Sequence, residues 1–556
     1  MKEHELQDQL SQMRREAEER DAQRRAHSAG VSYLPKEKLA VNVDALALIE
    51  EHEAHEAQCA IIEEENKRVA LVVLDPGFSK TKKVTGELKE KGYEVVLYVV
   101  SHSSLEYVYS FYKHITSRRS AVVGAVRIEE DSQETIQDHE IETLEKVKES
   151  LAKYNSPGSI SLFMQALLLG AISLRASDVH IEPRSESVIV RYRIDGILQD
   201  IFADMTSHVY RAVLSRIKLR SELKLNVKDE AQDGRFTIDF TEKRDIEVRV
   251  AIAPSEFGEV VVMRLLDPGT IQLELSQLGL RDDDLKIIEK ELKKPHGMIL
   301  NTGPTGSGKT TTLYAFLKKK HSSEVKIITI ENPIEYHIEG IEQTQVDPQA
   351  GYTFSDGLKS LMRQDPDIIL VGEIRDKETA EIAVQASLTG HMVFSTVHAN
   401  ESTGGIPRLL DLGAKANSLA PALNLIIAQR LVRRLCDVCK KEVPLENKEQ
   451  IEKFLSQLPQ RVETSALTHV DRVYEPVGCP ACNGTGFKGR IGIYELLEID
   501  DHIQELILEE AGSIRIKEAA KENALVSLQQ DGVLKVLNGI TTFNEVERVT
   551  GDIQWE

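Results

Sequence analysis

Short apolar runs alternate with amphipathic stretches in the first part of the chain, after an N-terminal segment rich in charged residues. Residues 1–30 predict a charged arm, either a solvated helix or a docking helix for a partner. The next segment, 31–117, predicts a strand, a helix, a strand and a helix, at 69–74, 79–91, 93–100 and 103–114. This order predicts a small α/β domain. Because the segment holds no catalytic constellation, we expect an interaction module.

A second alternation begins after an acidic stretch, 118–155, which predicts a partly helical linker. A helix is predicted at 160–174, and β-rich stretches follow at 179–181, 188–194, 236–240, 246–252 and 260–265. The alternation places Arg249 and Arg264 on strands whose other residues are suited to burial.

A third pattern is a short apolar strand, 298–302, that runs directly into a glycine-rich loop and then a helix. The candidate binding residues are Gly303, Pro304, Thr305, Gly306, Ser307, Gly308, Lys309, Thr310 and Thr311. Glycines permit a turn whose backbone N–H groups converge on phosphates at the positive end of the helix dipole. Lys309 supplies a cation to the outer phosphates, and the Thr310 hydroxyl is suited to Mg²⁺. We therefore predict ATP and Mg²⁺ at this loop.

Two further apolar strands end in carboxylates. Glu373 ends one of them, with Gly372 at the position of the usual aspartate on the Mg²⁺ side, so Glu373 is the candidate for polarising the attacking water. Glu331 ends the other, with Glu335 just beyond it, and Glu331 is a candidate for the metal's outer shell or for the water. The alternative is that these acids face solvent at strand ends.

Two histidines, His391 and His398, frame another apolar strand. Their positions at the strand ends leave them free to reach the site. A structural role is the alternative for each, because a lone histidine is usually structural and its spacing alone does not show a chemical role.

Composition and charge limit the function classes. The 556-residue chain carries a formal charge of −21, which argues against a general nucleic-acid binder because phosphate neutralisation needs a basic face. No apolar run approaches the roughly 20 residues that cross a bilayer, and the N-terminus lacks the apolar region of a secretory signal. We therefore expect a protein that stays in the cytosol.

Four of the five cysteines form two CxxC pairs, Cys436 with Cys439 and Cys479 with Cys482. Each pair can aim two thiolates at one tetrahedral centre, which predicts a structural Cys₄ zinc site, although the intervening segment is longer than a compact zinc ribbon needs. Redox chemistry is disfavoured because neither pair lies in a βαβ context. Cys59 stands alone and is expected in a core.

Four ordered motifs resemble those of the secretion ATPase superfamily, the hexameric motors of type II secretion and type IV pili. They are GPTGSGKT, TIENPIE, LMRQDPDIILVGEIRD and TGHMVFSTVHAN. The resemblance covers 156–556 strongly and 31–117 weakly. It assigns Glu331 and Glu335 to the Asp box, Glu373 to Walker B, and His391 and His398 to the His box. Asn332 departs from the family's usual aspartate, and an amide brings no charge to Mg²⁺, so weaker metal affinity or turnover is expected.

Residues 176–183 and 232–235 are similar to the N2 domain of that family, in which arginines reach the nucleotide. The resemblance makes Arg235, Arg249 and Arg264 candidate arginine fingers, since a guanidinium fork stabilises charge on phosphate oxygens. Pairing with surface acids is the alternative. The stretch 227–231 departs from the family's basic, proline-containing version, which leaves Arg235 as the better-supported finger there.

The residues before and after the cysteine pairs also match the family's tetracysteine module, which favours assembly and secretion ATPases over pilus-retraction ATPases. The predicted fold is a multidomain α/β class with a RecA-like P-loop core, a PAS-like N2 domain and a small α/β N1 domain. The predicted divisions are arm 1–30, N1 31–117, linker 118–155, N2 156–267, ATPase core 268–430, zinc module 431–497 and helical C-terminal region 498–556.

The resemblance implies an ATP-hydrolysing homo-hexamer that extends a type IV pilus or a type II pseudopilus. It implies work at the cytoplasmic face of the inner membrane, through an integral-membrane platform protein, with a further partner on the N-terminal domain. No nucleic-acid partner is expected. Two alternatives stay open: a conjugation or DNA-uptake ATPase, which would need a basic pore, and a non-catalytic regulatory ATP-binding scaffold, which Asn332 favours.

Overall fold

The computed structural model describes residues 18–35, 39, 43–46, 48–49, 51–65, 67–112, 126–127, 141–241, 244–267, 273–347, 350–446, 448–464, 467 and 471–555. Contacts within the chain divide it into two units, Met1–Ala125 and Val126–Glu556. Helices and strands alternate in both, which confirms the predicted mixed α/β, multidomain class.

A four-stranded sheet forms the first unit. Its strands are β1 (Ser32–Tyr33), β2 (Cys59–Glu65), β3 (Arg68–Val73) and β4 (Glu94–Val99). They pair in the order β1-β4-β3-β2, with β2–β3 antiparallel and the other pairs parallel. The helices are α1 (Val43–Leu46), α2 (Glu51–Ala57), α3 (Ser79–Glu90) and α4 (His102–Tyr109). The strand, helix, strand and helix predicted here are confirmed, and Cys59 is buried in the core as expected.

Residues 18–29, inside the segment predicted as a charged arm, are helical and packed. Ala22 and Ala26 are buried in the core of the first unit. Glu18 and Glu19 accept hydrogen bonds from Ser103 N–H and the Ser101 hydroxyl at the start of α4, where carboxylates favour a helix N-terminus. The buried residues are two small alanines flanked by charged residues, and they do not form a recognisable apolar face in the sequence. The pattern of hydrophobic and polar positions therefore did not predict this packing. Residues 1–17 lie outside the described residues.

A seven-stranded sheet opens the second unit. Its strands are β5 (Val126–Arg127), β6 (Ala176–Pro183), β7 (Val188–Ile194), β8 (Ile197–Met205), β9 (Gln232–Thr241), β10 (Arg244–Ser255) and β11 (Gly258–Leu266). They pair in the order β5-β9-β10-β11-β6-β7-β8, antiparallel except at β5–β9. Its helices are α5 (Leu144–Lys153), α6 (Ile160–Ser173), preceded by the 3₁₀ turn Pro157–Ser159, and α7 (Ser207–Arg220). We call this sheet with α5–α7 the N2 layer.

Helix α5 lies in the segment predicted as a linker. It buries Val147 and Leu151 in the core of the N2 layer, so the chain is already packed there. Within the described part of the chain, no single helix is long and apolar enough to cross a bilayer. Helix α5 and the segment Pro157–Ser173 reach that length and apolar character only when they are taken together, and the chain bends by 120° between them.

A second seven-stranded sheet lies in the segment predicted as the ATPase core, and we keep that name for the sheet and the helices that cover it. Its order is β14-β13-β15-β16-β12-β17-β20, parallel except for the antiparallel edge strand β20. The bounds are β12 (Gly297–Thr302), β13 (Ile327–Glu331), β14 (Glu342–Gln345), β15 (Ile368–Val371), β16 (Met392–Val397), β17 (Leu423–Leu435), the ribbon β18 (Lys441–Pro444) with β19 (Arg472–Glu475), and β20 (Phe487–Glu498). Strands β12, β13, β15 and β16 are buried throughout, as parallel strands covered on both faces require.

Helices cover this sheet and build the C-terminal region. They are α8 (Asp282–Leu292), α9 (Lys309–Lys320), α10 (Phe354–Leu361), α11 (Lys377–Leu388), α12 (Gly405–Asp411), α13 (Ala416–Ala422), α14 (Lys448–Ser456), α15 (Asp501–Leu508), α16 (Ser513–Glu522), α17 (Leu528–Leu537) and α18 (Phe543–Thr550), with 3₁₀ turns Leu275–Gln277 and Pro480–Cys482. Helix α14, between the cysteine pairs, shares an apolar core with α17.

One buried carboxylate joins the C-terminal helices to the ATPase core. Glu545 on α18 accepts hydrogen bonds from Arg433 of β17, at 2.7 Å from Nη2 and 2.9 Å from the backbone nitrogen, and from Arg548. Burial alone would raise the pKa of Glu545. The hydrogen bonds donated by Arg548 and Arg433 outweigh that effect and lower the pKa to about 2.

Replacing Glu545 by glutamine should lower the free energy of unfolding by about 3 kcal/mol at pH 7. Because the folded pKa lies below the unfolded value, this contribution is complete above about pH 4.5 and is lost as the pH falls towards 2. Urea unfolding, followed by circular dichroism at pH 7 and pH 4, should show a smaller difference in unfolding free energy between variant and wild type at pH 4 than at pH 7. Glu547→Gln, on the same helix, is the control; an equal loss there would contradict the assignment.

Candidate functional site

The glycine-rich loop at residues 303–308 connects β12 to α9, and we call it the phosphate loop after its predicted ligand. Its glycines adopt backbone conformations that side chains disfavour. Gly303 has φ of 148° and Gly308 has φ of 90°. A Cβ atom on Gly303 would lie 2.6 Å from Ser307 Oγ and 2.7 Å from the carbonyl oxygen of Gln429. The strand–loop–helix context therefore requires glycine where the loop leaves β12 and where it enters α9.

Lys309, the first residue of α9, folds back over the loop. Its Nζ donates to the carbonyl oxygens of Gly303 at 2.9 Å and Pro304 at 3.0 Å. Burial lowers the pKa of Lys309, the Glu373 carboxylate acts to raise it, and the Arg430 guanidinium lowers it further. The ammonium is thus held at the loop, within electrostatic reach of an acid and a second cation.

The parallel sheet brings several of the predicted residues to one edge. Strands β12, β13, β15 and β16 run in the same direction, so their C-terminal ends carry the phosphate loop, Glu331, Glu373 and His398 respectively. Glu373 lies 2.6 Å from Arg375 Nη2 and 3.6 Å from His398 Nε2, and its side chain is 14% exposed. This partly open carboxylate is suited to binding a water molecule.

Glu331 is placed differently, inside the core. It accepts hydrogen bonds from Tyr314 of α9, from the Thr329 hydroxyl at 2.6 Å and from Gln343 Nε2 at 3.3 Å. Burial raises the pKa of Glu331, and the Thr329, Tyr314 and Gln343 donors counteract that rise. The carboxylate therefore ties the helix of the phosphate loop to β13.

The segment after Glu331 meets the N2 layer. Asn332 is exposed and forms a cis peptide bond with Pro333. Arg249 of β10 donates to the carbonyl oxygen of Ile334 at 2.7 Å and lies 3.4 Å from Glu335 Oε2. A candidate arginine of the N2 layer and the candidate acid Glu335 are thereby in direct contact.

Strand register aligns the three candidate arginines in one row. Arg249 lies directly opposite Arg235 on β9 and opposite Arg264 on β11, so the three side chains share one face of the sheet. Arg264 pairs with Asp178 at 3.0 Å, and both Arg264 and Arg235 are exposed. A concentrated positive row of this kind suits a polyphosphate.

The two predicted histidines lie at opposite edges of the sheet. His398 follows the C-terminal end of β16 and faces Glu373. His391 precedes that strand, and its Nδ1 lies 2.9 Å from the carbonyl oxygen of Ala386. Only His398 is therefore brought to the phosphate-loop edge within one chain.

Three residues near the loop were not singled out from the sequence. Tyr314 donates a hydrogen bond to Glu331, and the charge of Arg430 lowers the pKa of Lys309. Gln429 lies beneath the loop, against Gly303 and Gly308. Tyr314 occupies an ordinary helical core position, and Gln429 and Arg430 lie on a strand far along the chain. No local pattern distinguished them.

The four cysteines of the two pairs converge as predicted. Their sulfur atoms lie within 4.8 Å of one another, with Cys436 to Cys479 at 3.9 Å and Cys439 to Cys482 at 3.8 Å. Backbone N–H groups of Cys479 and Gly486 donate to Cys482 Sγ, each at 3.2 Å, as suits a thiolate. The donor set fits a tetrahedral zinc ion held by four sulfurs, with no open position for substrate.

Comparison with known proteins agrees with these features. The profile of the family described as "Type II/IV secretion system protein" matches residues 153–548. "Type II secretion system protein E" of Aeromonas hydrophila is 43% identical over 402 residues, 72% of this chain and 78% of the relative. "Type IV pilus assembly ATPase PilB" of Myxococcus xanthus is 38% identical over 459 residues, 82% of this chain and 78% of the relative.

Among solved structures, the Legionella pneumophila ATPase DotB superposes with a TM-score of 0.50 at 20% identity. The match covers 70% of this chain and 95% of DotB. This likeness concerns the fold.

Purified protein should contain about one equivalent of zinc per chain, measured by inductively coupled plasma mass spectrometry. Cys439→Ser and Cys482→Ser should each remove most of it and lower the melting temperature, because metal binding adds to the stability of the folded state. Cys59→Ser is the control and should keep the metal. Full zinc content in either ligand variant would contradict a four-cysteine centre.

Proposed function

The chain belongs to the type II/IV secretion system protein family, and on that premise we propose that it is an ATP-hydrolysing motor. Three features of the sheet edge support this proposal: a phosphate loop, Lys309 folded over it, and Glu373 at the end of a nearby strand. A binding loop beside a carboxylate that is partly open to solvent has both parts that hydrolysis needs.

Each predicted residue has a proposed role. The backbone of the phosphate loop binds the phosphates, and Lys309 neutralises their charge. The Thr310 hydroxyl would hold Mg²⁺, and Thr311 would belong to the nucleotide-binding residues. Glu373 accepts a proton from the attacking water, and His398 orients Glu373. Mg²⁺ would supply charge neutralisation between the outer phosphates.

The Asp-box acids act at the periphery of this site. Glu331 holds α9 through Tyr314, and Glu335 keeps Arg249 close to the core before nucleotide arrives. We assign His391 no contact with nucleotide bound to its own chain, because it lies at the other edge of the sheet.

The arginine row is proposed to complete the site when the N2 layer closes on nucleotide. Arg235, Arg249 and Arg264 would stabilise the charge that spreads over the phosphate oxygens. Opening would release product, so the relative movement of the two layers is the mechanical output. A homo-hexameric ring would arrange six such sites.

The proposed output is assembly of a type IV pilus or a type II pseudopilus. The relative at 43% identity is named for type II secretion and the relative at 38% identity for type IV pilus assembly. The similarity therefore supports a motor of the kind that both systems use and does not choose between them. Work would be transmitted at the cytoplasmic face of the inner membrane, through an integral-membrane platform protein. Deletion of the gene with every surface fibre and secreted protein retained would contradict this role.

A non-catalytic ATP-binding scaffold is the second candidate, because Asn332 removes a charge from the Asp box. Asn332 is exposed next to the Arg249 contact, so its neutral side chain also leaves the local field less negative. Lys309, Thr310 and Glu373 weigh against this candidate.

The Glu373→Gln variant should bind MgATP within about threefold of wild type, and its turnover should fall about 10²–10⁴-fold because the amide cannot accept the proton. Steady-state phosphate release and fluorescent-nucleotide binding measure the two quantities on fractions sized by light scattering. Glu381→Gln, the same exchange on α11, is the control and should keep full turnover.

Tight MgATP binding by wild type without turnover in any oligomer, with lipid present, would favour the scaffold. Asn332→Asp would then be the first reversion to test. Unchanged turnover in Glu373→Gln would remove Glu373 from the mechanism.

The Arg249→Ala variant should lose about 10³-fold or more in turnover, since arginine fingers contribute about 10³–10⁵-fold, while MgATP affinity changes less than about threefold. Arg184→Ala, an exposed arginine of the N2 layer outside the row, should stay within about twofold of wild type. Equal turnover in Arg249→Ala and Arg184→Ala would show that Arg249 serves only its contact with Glu335.

A further inference from the structure

The side chain of Gln429 is buried beneath the phosphate loop and is used by none of the roles above. Gln429 lies on β17, next to β12, and is 2% exposed. Its Oε1 accepts hydrogen bonds from Asn301 Nδ2 and from Thr312 Oγ1, both at 2.9 Å. Its Nε2 donates to the Tyr494 hydroxyl at 3.4 Å.

The two donors stand on either side of the loop. Asn301 is the second-last residue of β12, the strand that enters the loop, and Thr312 lies in the first turn of α9, the helix that leaves it. Both residues are fully buried. One oxygen of Gln429 therefore fixes the distance between the two ends of the loop.

The main chain of the loop also closes on Gln429. A Cβ atom at Gly303 would lie 2.7 Å from the Gln429 carbonyl oxygen, and one at Gly308 would lie 2.8 Å from Gln429 Nε2. The glycines that begin and end the turn thus approach the same residue of a neighbouring strand. The curvature of the loop, and with it the aim of its N–H groups, depends on this support.

We propose that Gln429 is a positioning residue for the phosphates of the nucleotide. It touches no nucleotide atom; it holds the end of β12 and the start of α9 so that the backbone N–H groups of the loop are fixed before binding. Misplacement of binding groups by about 1 Å can cost about 10²-fold in rate, so a rigid support below the loop affects both nucleotide binding and turnover. The inference rests on the proposed nucleotide-binding function.

The chemistry of the support explains why a carboxamide is suited to it. An amide oxygen accepts two hydrogen bonds while its NH₂ group donates, and it does so without charge. A carboxylate at the same place would add a negative charge beneath the phosphates, and an apolar side chain would leave two buried donors unpaired. Glutamine meets both requirements.

The deciding experiment compares two ligands on full-length protein. Gln429→Met keeps the length of the side chain and removes its hydrogen bonds. Displacement of a fluorescent ATP analogue should show MgATP binding weakened about tenfold or more, and inorganic tripolyphosphate weakened by the same factor. Equal loss for a ligand without base or ribose places the defect in the phosphate contacts rather than in contacts to the base or ribose, and an unchanged urea unfolding midpoint of Gln429→Met excludes a loss of folded protein as its cause.

Two further variants test the assignment. Tyr494→Phe removes the 3.4 Å contact with Gln429 Nε2, together with the hydrogen bond that the Tyr494 hydroxyl donates to the Leu278 carbonyl oxygen. Both Oε1 bonds remain, so both ligands should stay within about threefold of wild type. Thr312→Val removes one of the two donors and should weaken both ligands about threefold. Combined with Gln429→Met it should add less than about twofold, because both changes remove the same bond.

Unchanged affinity for both ligands in Gln429→Met would overturn the inference. If that variant does not fold, as judged by circular dichroism, unchanged affinities in Thr312→Val would overturn it equally. A loss of MgATP affinity without loss of tripolyphosphate affinity would also overturn it. Wild-type protein that binds neither ligand would instead contradict the proposed function itself.

Discussion

The site depends on the parallel arrangement of four neighbouring strands in the ATPase core. Because β13, β15, β16 and β12 are hydrogen-bonded side by side in one direction, the residues that follow them must emerge at one edge. Residues as distant in sequence as Gly303 and His398 thereby become neighbours. The strands are buried throughout, so a shift of register would carry core side chains into the site.

The same constraint determines where charge can be tolerated. Glu331 ends a fully buried strand, and a buried carboxylate costs several kcal/mol unless donors surround it. Tyr314, Thr329 and Gln343 provide those donors, and Tyr314 comes from the helix that begins at Lys309. The requirement to satisfy one acid thus couples β13 to the phosphate loop. Glu373, at the end of a shorter strand, keeps partial access to solvent and pairs with Arg375 and His398 instead.

Local sequence was enough to predict the strand–loop–helix at Gly303–Thr310, the strands ending at Glu331 and Glu373, and the convergence of the four cysteines. The loop and the strand ends depend on residues that are close together in the chain. The cysteine cluster depends on two CxxC pairs, whose spacing is compatible with few arrangements other than a shared metal. What it could not predict depends on pairing between distant segments. Gln429 reaches the loop because β17 pairs with β12, and the arginine row exists because β9, β10 and β11 align in one register. The direction of β16 likewise decided that His398, and not His391, would reach this edge.

The contact between Arg249 and Glu335 has a consequence for how the N2 layer could engage nucleotide. The two side chains are 24% and 35% exposed and 3.4 Å apart, and exposed pairs of this kind contribute only about 0.2–1 kcal/mol. Phosphate oxygens carry more charge and accept both arms of a guanidinium. An arginine paired this weakly can exchange Glu335 for phosphate, although its hydrogen bond to the Ile334 carbonyl oxygen would also have to be replaced. Arg264 is 54% exposed, so its pair with the buried Asp178 is likewise open to solvent on the arginine side. Both arginines are therefore held by pairs that keep access to solvent, and each pair can be exchanged for a stronger contact with phosphate.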